Sequence, residues 1–319
     1  MLIFTLRRLN LLIFTLLILS LLAYWIEYRL GAGDQSLWAG YLQFLNRLQA
    51  GDLGVSSQSG QPVLQTIMGY LPATLELCLA ASLIAVIIGI PLGTLAALNQ
   101  GRYLDIGITG FSVLGSSIPV YWLAQLLIML FAMHYQLLPS SGQLNLLYEV
   151  EPVTGFMLID TWLLPGDNRW PAFISALQHL CLPALTLALL PMTEVTRLVR
   201  SSMLEVLKQN YIKAAFSRGW SPVTVISRHG LRNALPPILP QLSLQFGAII
   251  TSAIVIEQVF EWPGLGHWLI SSIMNRDYVA IQASVLLISS LLLVLNIATE
   301  LVATLLYPAK RKESYGQQG

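Results

Sequence analysis

The side chains able to do chemistry are few in this 319-residue chain, and they are scattered. His134, His179, His229 and His267 lie far from one another, as do Cys78 and Cys181. No Cys/His spacing of the metal-binding type and no close Ser/His/Asp set occurs, so neither a zinc site nor a nucleophilic enzyme is indicated. Each cysteine sits in an apolar stretch and reads as a small buried thiol. No Gly-Lys dipeptide occurs, which excludes a Gly-x-x-x-x-Gly-Lys-Ser/Thr phosphate loop, and Gly-x-Gly-x-x-Gly is absent too. Three carboxylates, Glu76, Glu194 and Glu300, fall in or beside long apolar runs. Ionisable groups there are costly and often functional, so one reading makes them proton relays of a secondary transporter. Against it, Glu76 and Glu194 fall near the ends of their runs. Arg197 also follows Glu194 at the i+3 spacing of a same-face helical ion pair.

A denser set of signals lies at 210–236. Asn210 can cap a short helix, and Gly219 can end it in the left-handed conformation that Gly adopts cheaply. Ser221 can cap a second helix with Pro222 at its first position, continuing through Val225, Ile226 and Arg228 towards Arg232. Ala214 and Ala215 let another surface approach the first helix closely, with Lys213 and Arg218 flanking them. The plain alternative is a solvated basic loop that only fixes topology.

The elements that must position these residues have an unusual composition. The chain is 55% hydrophobic and 10% charged, with a mean hydropathy of +0.67. Ordinary soluble domains carry roughly a quarter charged residues, so the implied solvent is a bilayer. A net charge of +1 lacks the basic excess of a nucleic-acid binder. A spanning helix needs about 20 largely apolar residues. Charge-free runs at 9–26, 77–101, within 106–148, 170–193, 233–256 and 278–299 qualify, the third with its apolar part ending near Met133. A seventh uncharged run, 53–75, is rich in Gly, Ser, Gln and Pro and is expected to be a loop. The first run ends in Tyr24, Trp25 and Tyr28, an aromatic belt rather than a small-residue cleavage site, so an uncleaved anchor is expected.

With the N-terminus inside, 13 of the 17 basic residues fall on inner segments, a positive-inside pattern. The expected architecture is an all-α integral membrane protein with about six transmembrane helices and both termini cytoplasmic. Two long outer loops follow, at about 29–72 and 134–178, with one inner loop at about 200–235. Loops longer than about 15 residues usually do something. Two smaller motifs stay ambiguous. Gly89-Ile-Pro-Leu-Gly93 has the spacing that brings helices together, but Pro91 inside it favours local packing. Pro263-Gly-Leu-Gly266, beside Phe260, Trp262 and Trp268, reads as a contact for substrate or a binding protein, or as an interfacial anchor.

Lys213-Ala-Ala-Phe-Ser-Arg-Gly219 resembles the cytoplasmic coupling loop of ABC-transporter permeases, whose signature is Glu-Ala-Ala, three residues, then Gly. His229-Gly-Leu-Arg232-Asn233-Ala-Leu-Pro236 resembles the variant of the dipeptide/oligopeptide permease branch, where a basic residue in place of the Glu is ordinary. Gly51-Asp-Leu-Gly-Val-Ser56, Pro72-Ala-Thr-Leu-Glu-Leu77, Ser117-Ile-Pro-Val-Tyr-Trp122, Leu138-Pro-Ser-Ser-Gly142, His179-Leu-Cys-Leu-Pro183, Arg197-Leu-Val-Arg200, Glu261-Trp-Pro-Gly-Leu-Gly266 and Arg276-Asp-Tyr278 resemble that branch in order and spacing. Together they cover about residues 50–308.

The resemblance implies a type I ABC-importer-like permease fold. It also implies a non-catalytic permease subunit of an ATP-driven transporter moving peptides, antimicrobial peptides among them, across the bacterial inner membrane. Tyr211, Lys213, Ala214, Ala215, Arg218, Gly219, His229, Arg232 and Asn233 would form the ATPase-coupling loop. This chain would bind no cofactor, with ATP and Mg on partner ATPases. The implied partners are a second homologous permease, two ABC ATPases, a periplasmic substrate-binding protein and membrane lipid, with no nucleic acid. Residues 1–72 would hold the anchor helix and first periplasmic loop, 73–308 the permease transmembrane domain and 309–319 a basic cytoplasmic tail. The insert Leu146-Leu-Tyr-Glu-Val150, with Pro152-Val-Thr-Gly-Phe156 and Ile159-Asp-Thr-Trp-Leu163, resembles one subgroup, to which antimicrobial peptides, haem and putrescine are all attributed. Putrescine export and haem uptake by the same machinery therefore stand as alternatives, as does a proton-coupled transporter using Glu76, Glu194 and Glu300.

Overall fold

A backbone passing through lipid must bond its N–H and C=O groups within the same segment, so a chain this apolar folds as helices. The computed structural model describes residues 2–29 and 37–306, side chains at 2–9, 26, 27, 240, 243, 244 and 299–306 excepted. Among these residues no β-sheet forms; Val55 and Pro62 make an isolated antiparallel bridge. The first helices are α1 (Leu2–Arg29), α2 (Leu37–Gln49), α3 (Val63–Leu98), α4 (Tyr103–Ser117) and α5 (Val120–Leu127), the last running on as a π-helix over Ile128–His134. Then come α6 (Met157–Leu163), α7 (Arg169–Leu207), α8 (Asn210–Ser217), α9 (Pro222–Val225) and α10 (Arg232–Ala234). The chain closes with α11 (Leu239–Val259), α12 (Leu265–Met274) and α13 (Tyr278–Leu306).

Among the described residues α3, α7 and the Tyr278–Ala298 part of α13 are long and apolar enough to cross a membrane. The α4–α5 pair is a fourth candidate, bent by 102°. The shorter apolar stretches Asn10–Trp25 and Gln245–Val259 match the expected first and fifth spans in position.

Several boundaries differ from expectation. The uncharged run 53–75 is a loop only up to Pro62; α3 begins at Val63 and passes through Gly69 and Pro72. Val63 and Ile67, one turn apart, are fully buried against Leu265, Leu269 and Ala283, so packing overrides the loop-like composition. The third run is broken: Ile118 is extended (φ −83°, ψ 124°) before Pro119, which cannot donate a helical N–H. Helices α2 and α6 occupy segments expected to be loop. The amphipathic helix α2 buries Tyr41 and Phe44 against Ala23 and Tyr24 of α1.

The chain divides into two compact units. The first takes residues up to Leu77, Leu138–Leu180 and Ala253–Ile297; the second takes Cys78–Leu137, Cys181–Ser252 and the chain from Ala298. In the first unit, carboxylates close the connections. Glu76 accepts the Met157 and Leu158 N–H groups at 3.1 and 2.8 Å, and Asp160 accepts those of Val153, Thr154 and Gly155. Glu257 accepts Gly266 N–H at 2.7 Å and His267 N–H at 3.0 Å, binding α12 by its positive end. Asp277 accepts the Ser56 hydroxyl at 2.5 Å and the Ala280 N–H at 3.2 Å.

Phe260 and Trp262 are buried, so their rings serve neither as an interfacial anchor nor as a surface contact. Trp262 Nε1 donates to Ala73 O at 3.0 Å, and Leu265 N–H donates to Thr74 Oγ1 at 2.7 Å, pinning this loop to α3. Trp268 stacks on Tyr70.

In the second unit, Gly89 and Gly93 bring α3 onto α7, and the local-packing reading is overturned. A Cβ on Gly89 would lie 2.8 Å from Val195 Cγ1, and one on Gly93 would lie 2.5 Å from Thr196 O. Pro91 does not prevent this: α3 runs on through it, as membrane helices allow where the freed carbonyl finds another partner.

Candidate functional site

Segment 208–238 is helical nearly throughout, in short α, π and 3-10 pieces. Ile212 and Lys213 N–H bond to Gln209 O, so helix α8 is entered from Gln209, whose side chain makes no cap; Asn210 is its first helical residue rather than its cap. Gly219, at φ +80°, ends α8 as expected. Its N–H bonds to Phe216 O at 2.9 Å and that of Trp220 to Ala215 O at 3.4 Å, the paired bonds of a Schellman turn. Ser221 caps α9 by accepting Thr224 N–H at 3.3 Å, with Pro222 at the first position. A π-helical turn, Ile226–Leu231, carries the chain into α10, and a 3-10 turn, Pro236–Ile238, leads to α11.

One face of this segment is bolted to α7. Ile212, Val225, Ala234 and Ile238 are buried in a cluster with Val195, Val199, Met203 and Val206 of α7 and Ala97 of α3. Ser202 Oγ donates to Ala234 O at 2.7 Å, and a Cβ on Gly230 would lie 3.1 Å from Met203 Cε. The opposite face stays open: Tyr211, Lys213, Ala214, Phe216, Arg218 and Gly219 are exposed, Ala215 is half-buried, and Trp220 and Val223 are exposed beyond the turn. Partial desolvation holds the Tyr211 phenol above its ordinary pKa, so it stays a neutral hydroxyl. An exposed apolar surface with basic residues at its edge, on a rigidly backed helix, suits contact with another protein.

The downstream candidates separate from this face. His229 is half-buried with its ring 5.2 Å from Trp220, whose other neighbour is the Arg228 guanidinium at 5.9 Å. Asn233 Nδ2 donates to His229 O at 2.7 Å, and Arg232 is exposed. Reading by local signals missed Arg200 and Asp105, a bidentate pair in the second unit, and Glu257 in the first. Arg200 stood in a quoted motif, but nothing in the sequence pairs it with a residue 95 positions away.

Two carboxylates of the proton-relay reading have structural partners. Glu76 is buried against backbone amides, Glu194 pairs with Arg197 at 2.5 Å, and the side chain of Glu300 lies outside the described residues. His179 Nδ1 bonds Ser175 O, and both cysteines are free thiols. Among the described residues no group of three His, Cys, Asp or Glu side chains is placed to hold a metal.

The helical arrangement is that of a type I ABC-transporter permease. It matches a chain from inward-facing structures of the MetNI methionine ABC transporter with a TM-score of 0.54, over 74% of this chain and 93% of that one, at 16% identity. Residues 89–312 match the family of binding-protein-dependent transport system inner membrane components, and the chain belongs to that family, in its dipeptide/oligopeptide permease branch. It is 45% identical to the peptide transport system permease protein SapB of Salmonella typhimurium, over 99% of both chains. It is 44% identical, again over 99% of both, to the putrescine export system permease protein SapB of Escherichia coli K12. The chain is thus a multi-pass protein of the bacterial inner membrane.

Proposed function

We propose that this chain is one of a pair of permease subunits in an ATP-driven transporter for peptides, with segment 208–238 as the lever through which separate ATPases drive it. The carrying observation is the open face of α8, backed by a buried cluster on α7 and ended by a left-handed Gly219. In this reading Tyr211, Lys213, Ala214, Ala215, Arg218 and Gly219 meet the ATPase. His229, Arg232 and Asn233 support the turn behind them. ATP and Mg stay on the two ATPases, a second homologous permease completes the pathway, and a periplasmic binding protein delivers substrate. Closure of the ATPases would push the paired loops together and rock the membrane helices between two access states.

The proposed topology has six spans with both termini cytoplasmic, the bent α4–α5 pair counting as one. The 13 inward basic residues support it. The proposed parts are 1–72, 73–308 and 309–319; residue 72 lies inside α3, so the first two are continuous through one helix. The E. coli relative supports a second reading of the cargo, putrescine export by the same machinery.

The test is transport and ATP hydrolysis by the complete transporter in vesicles. A Cβ on Gly219 meets open space, but its φ of +80° disfavours any β-branched residue. Gly219→Val is therefore expected to assemble in the membrane and hydrolyse ATP without moving a labelled tripeptide or putrescine. Normal transport of either by that variant would overturn the coupling role. Insensitivity of wild-type transport to a protonophore is expected at fixed ATP.

A further inference from the structure

Arg200 sits at the end of α7 nearest segment 208–238 and forms a two-pronged pair with Asp105. Nε donates to Oδ1 at 2.6 Å and Nη2 to Oδ2 at 2.8 Å. The Asp105 side chain is 5% exposed and that of Arg200 29%. Asp105 Oδ2 also accepts Gly101 N–H at 2.9 Å, and Gly101, at φ +74°, makes the turn from α3 into α4. Thr109 Oγ1 donates to Oδ1 at 3.4 Å. One carboxylate therefore ties the α3–α4 turn and the start of α4 to α7.

Within a turn of Arg200, the neighbouring residues Ser202 and Met203 hold Ala234 and Gly230. The same turn of α7 thus grips segment 208–238 and, through Arg200, grips α4.

Helix α4 buries few of its own side chains among the described residues. Its buried residues are Asp105, Ser112 and Gly115, while Leu104, Ile106, Phe111, Val113 and Leu114 are exposed. Gly115 meets α7 as well, where a Cβ would lie 3.0 Å from Thr193 Cγ2. Two residues beyond Gly115 comes the 102° break into α5. A guanidinium fork gripping a buried carboxylate fixes orientation as well as distance, which an ammonium cannot do.

We propose that the Asp105–Arg200 pair is a positioning link that carries displacement of segment 208–238 into the bent α4–α5 pair during the transport cycle. It rests on the coupling role proposed above for that segment. The stiff path runs from the buried cluster of segment 208–238 through residues 200–203 of α7 and across the ion pair into α4. Packed interfaces of this kind shift between discrete arrangements instead of deforming smoothly.

The test uses the complete transporter with its ATPases, in a chain carrying Cys78→Ala and Cys181→Ala. A nitroxide is placed either at Ser227→Cys, on the loop, or at Ser117→Cys, at the break. Spectra are compared without nucleotide and after trapping with ATP and vanadate. Both labels are expected to respond in the parent chain. In Asp105→Asn the loop label should respond as before, while the response at 117 falls about tenfold, within the usual range of coupling between sites. The exchanged pair, Asp105→Arg with Arg200→Asp, should restore most of it, and Arg200→Lys should fall between; if Asp105→Asn does not assemble, these two chains carry the test.

A normal response at 117 in Asp105→Asn overturns the link, as does a silent 117 label in a parent whose loop label responds. Loss at 117 that only follows the lost melting temperature across Asp105→Asn, Arg200→Lys and the exchanged pair also overturns it, marking a clamp that serves stability alone. A loop label silent to nucleotide in the parent instead defeats the coupling assignment itself, and the link with it.

Discussion

The connections of the first unit and segment 208–238 of the second are held by different chemistry. In the first, buried carboxylates are spent on backbone amides: Glu76 on Met157 and Leu158, Asp160 on Val153 to Gly155, Glu257 on Gly266 and His267. In the second, the described contacts of segment 208–238 are mainly apolar packing on α7 with a side-chain hydrogen bond from Ser202, while the Asp105 carboxylate takes the Gly101 amide at the α3–α4 turn and pairs with Arg200. A carboxylate bonded to consecutive amides fixes the backbone within hydrogen-bond tolerance. Interlocked aliphatic side chains make no directional bond and hold their partner by close packing. The first arrangement suits a frame, and the second suits a part that moves together with α7.

Removing a rivet from the first unit should therefore cost most. Glu257 is fully buried, and its carboxylate fills the space where a Cβ on Gly264 would stand. Glu257→Ala strips an acceptor from the buried Gly266 amide and the half-buried His267 amide. An unsatisfied buried donor costs about 1–3 kcal/mol, so the variant should lose roughly 2–4 kcal/mol. The readout is a lowered melting temperature and reduced monodisperse yield in detergent. Ser202→Ala, the corresponding deletion in the second unit, removes one hydrogen bond worth about 1 kcal/mol. Equal losses from the two variants would erase the contrast.

The second unit has its own rigid point, at Gly93. A side chain there would meet Thr196 O at 2.5 Å and Val199 Cβ at 2.8 Å, forcing α3 off α7. Gly93→Val is expected to destabilise by about 1–3 kcal/mol, as overpacking usually does. It should also disturb Arg200, whose backbone N lies 3.1 Å from the same Cβ position. The sharper expectation is that Gly93→Val damages coupling more than Glu257→Ala does per degree of lost melting temperature. Measuring transported peptide per ATP on the assembled variants checks this.

What could be read from sequence was what neighbouring residues decide. The apolar stretches in bulk, the left-handed Gly219 and the Ser221–Pro222 cap follow from short-range rules, and Gly219 and the cap are found where expected. The start of α3 was illegible because Gly69, Pro72 and several glutamines look like loop. Only Leu265 and Leu269, about two hundred positions on, reveal that Val63 and Ile67 face a core. The break at Ser117–Pro119 was hidden by an uncharged run that passes through it unchanged. Asp105–Arg200 and the amide partners of Glu76 were beyond reach for the same reason. A carboxylate near the end of an apolar run does not announce which backbone it will meet.

The smallest expected effect separates a transporter driven by nucleotide from one driven by protons. Glu194 and Arg197 stand one turn apart on α7 at 2.5 Å, with the Arg197 side chain 71% exposed. An exposed pair at this spacing contributes about 0.3–0.5 kcal/mol, so Glu194→Gln should leave the melting temperature within error. If Glu194 is only a partner for Arg197, transport per ATP should also be unchanged, and the small loss should grow no larger as external pH is varied. A proton relay cannot tolerate an amide, which neither takes up nor releases a proton near physiological pH. Transport abolished by Glu194→Gln with ATP hydrolysis intact would therefore put a proton-carrying carboxylate in the second unit. The division between a riveted frame and a packed lever would then have to be redrawn around it.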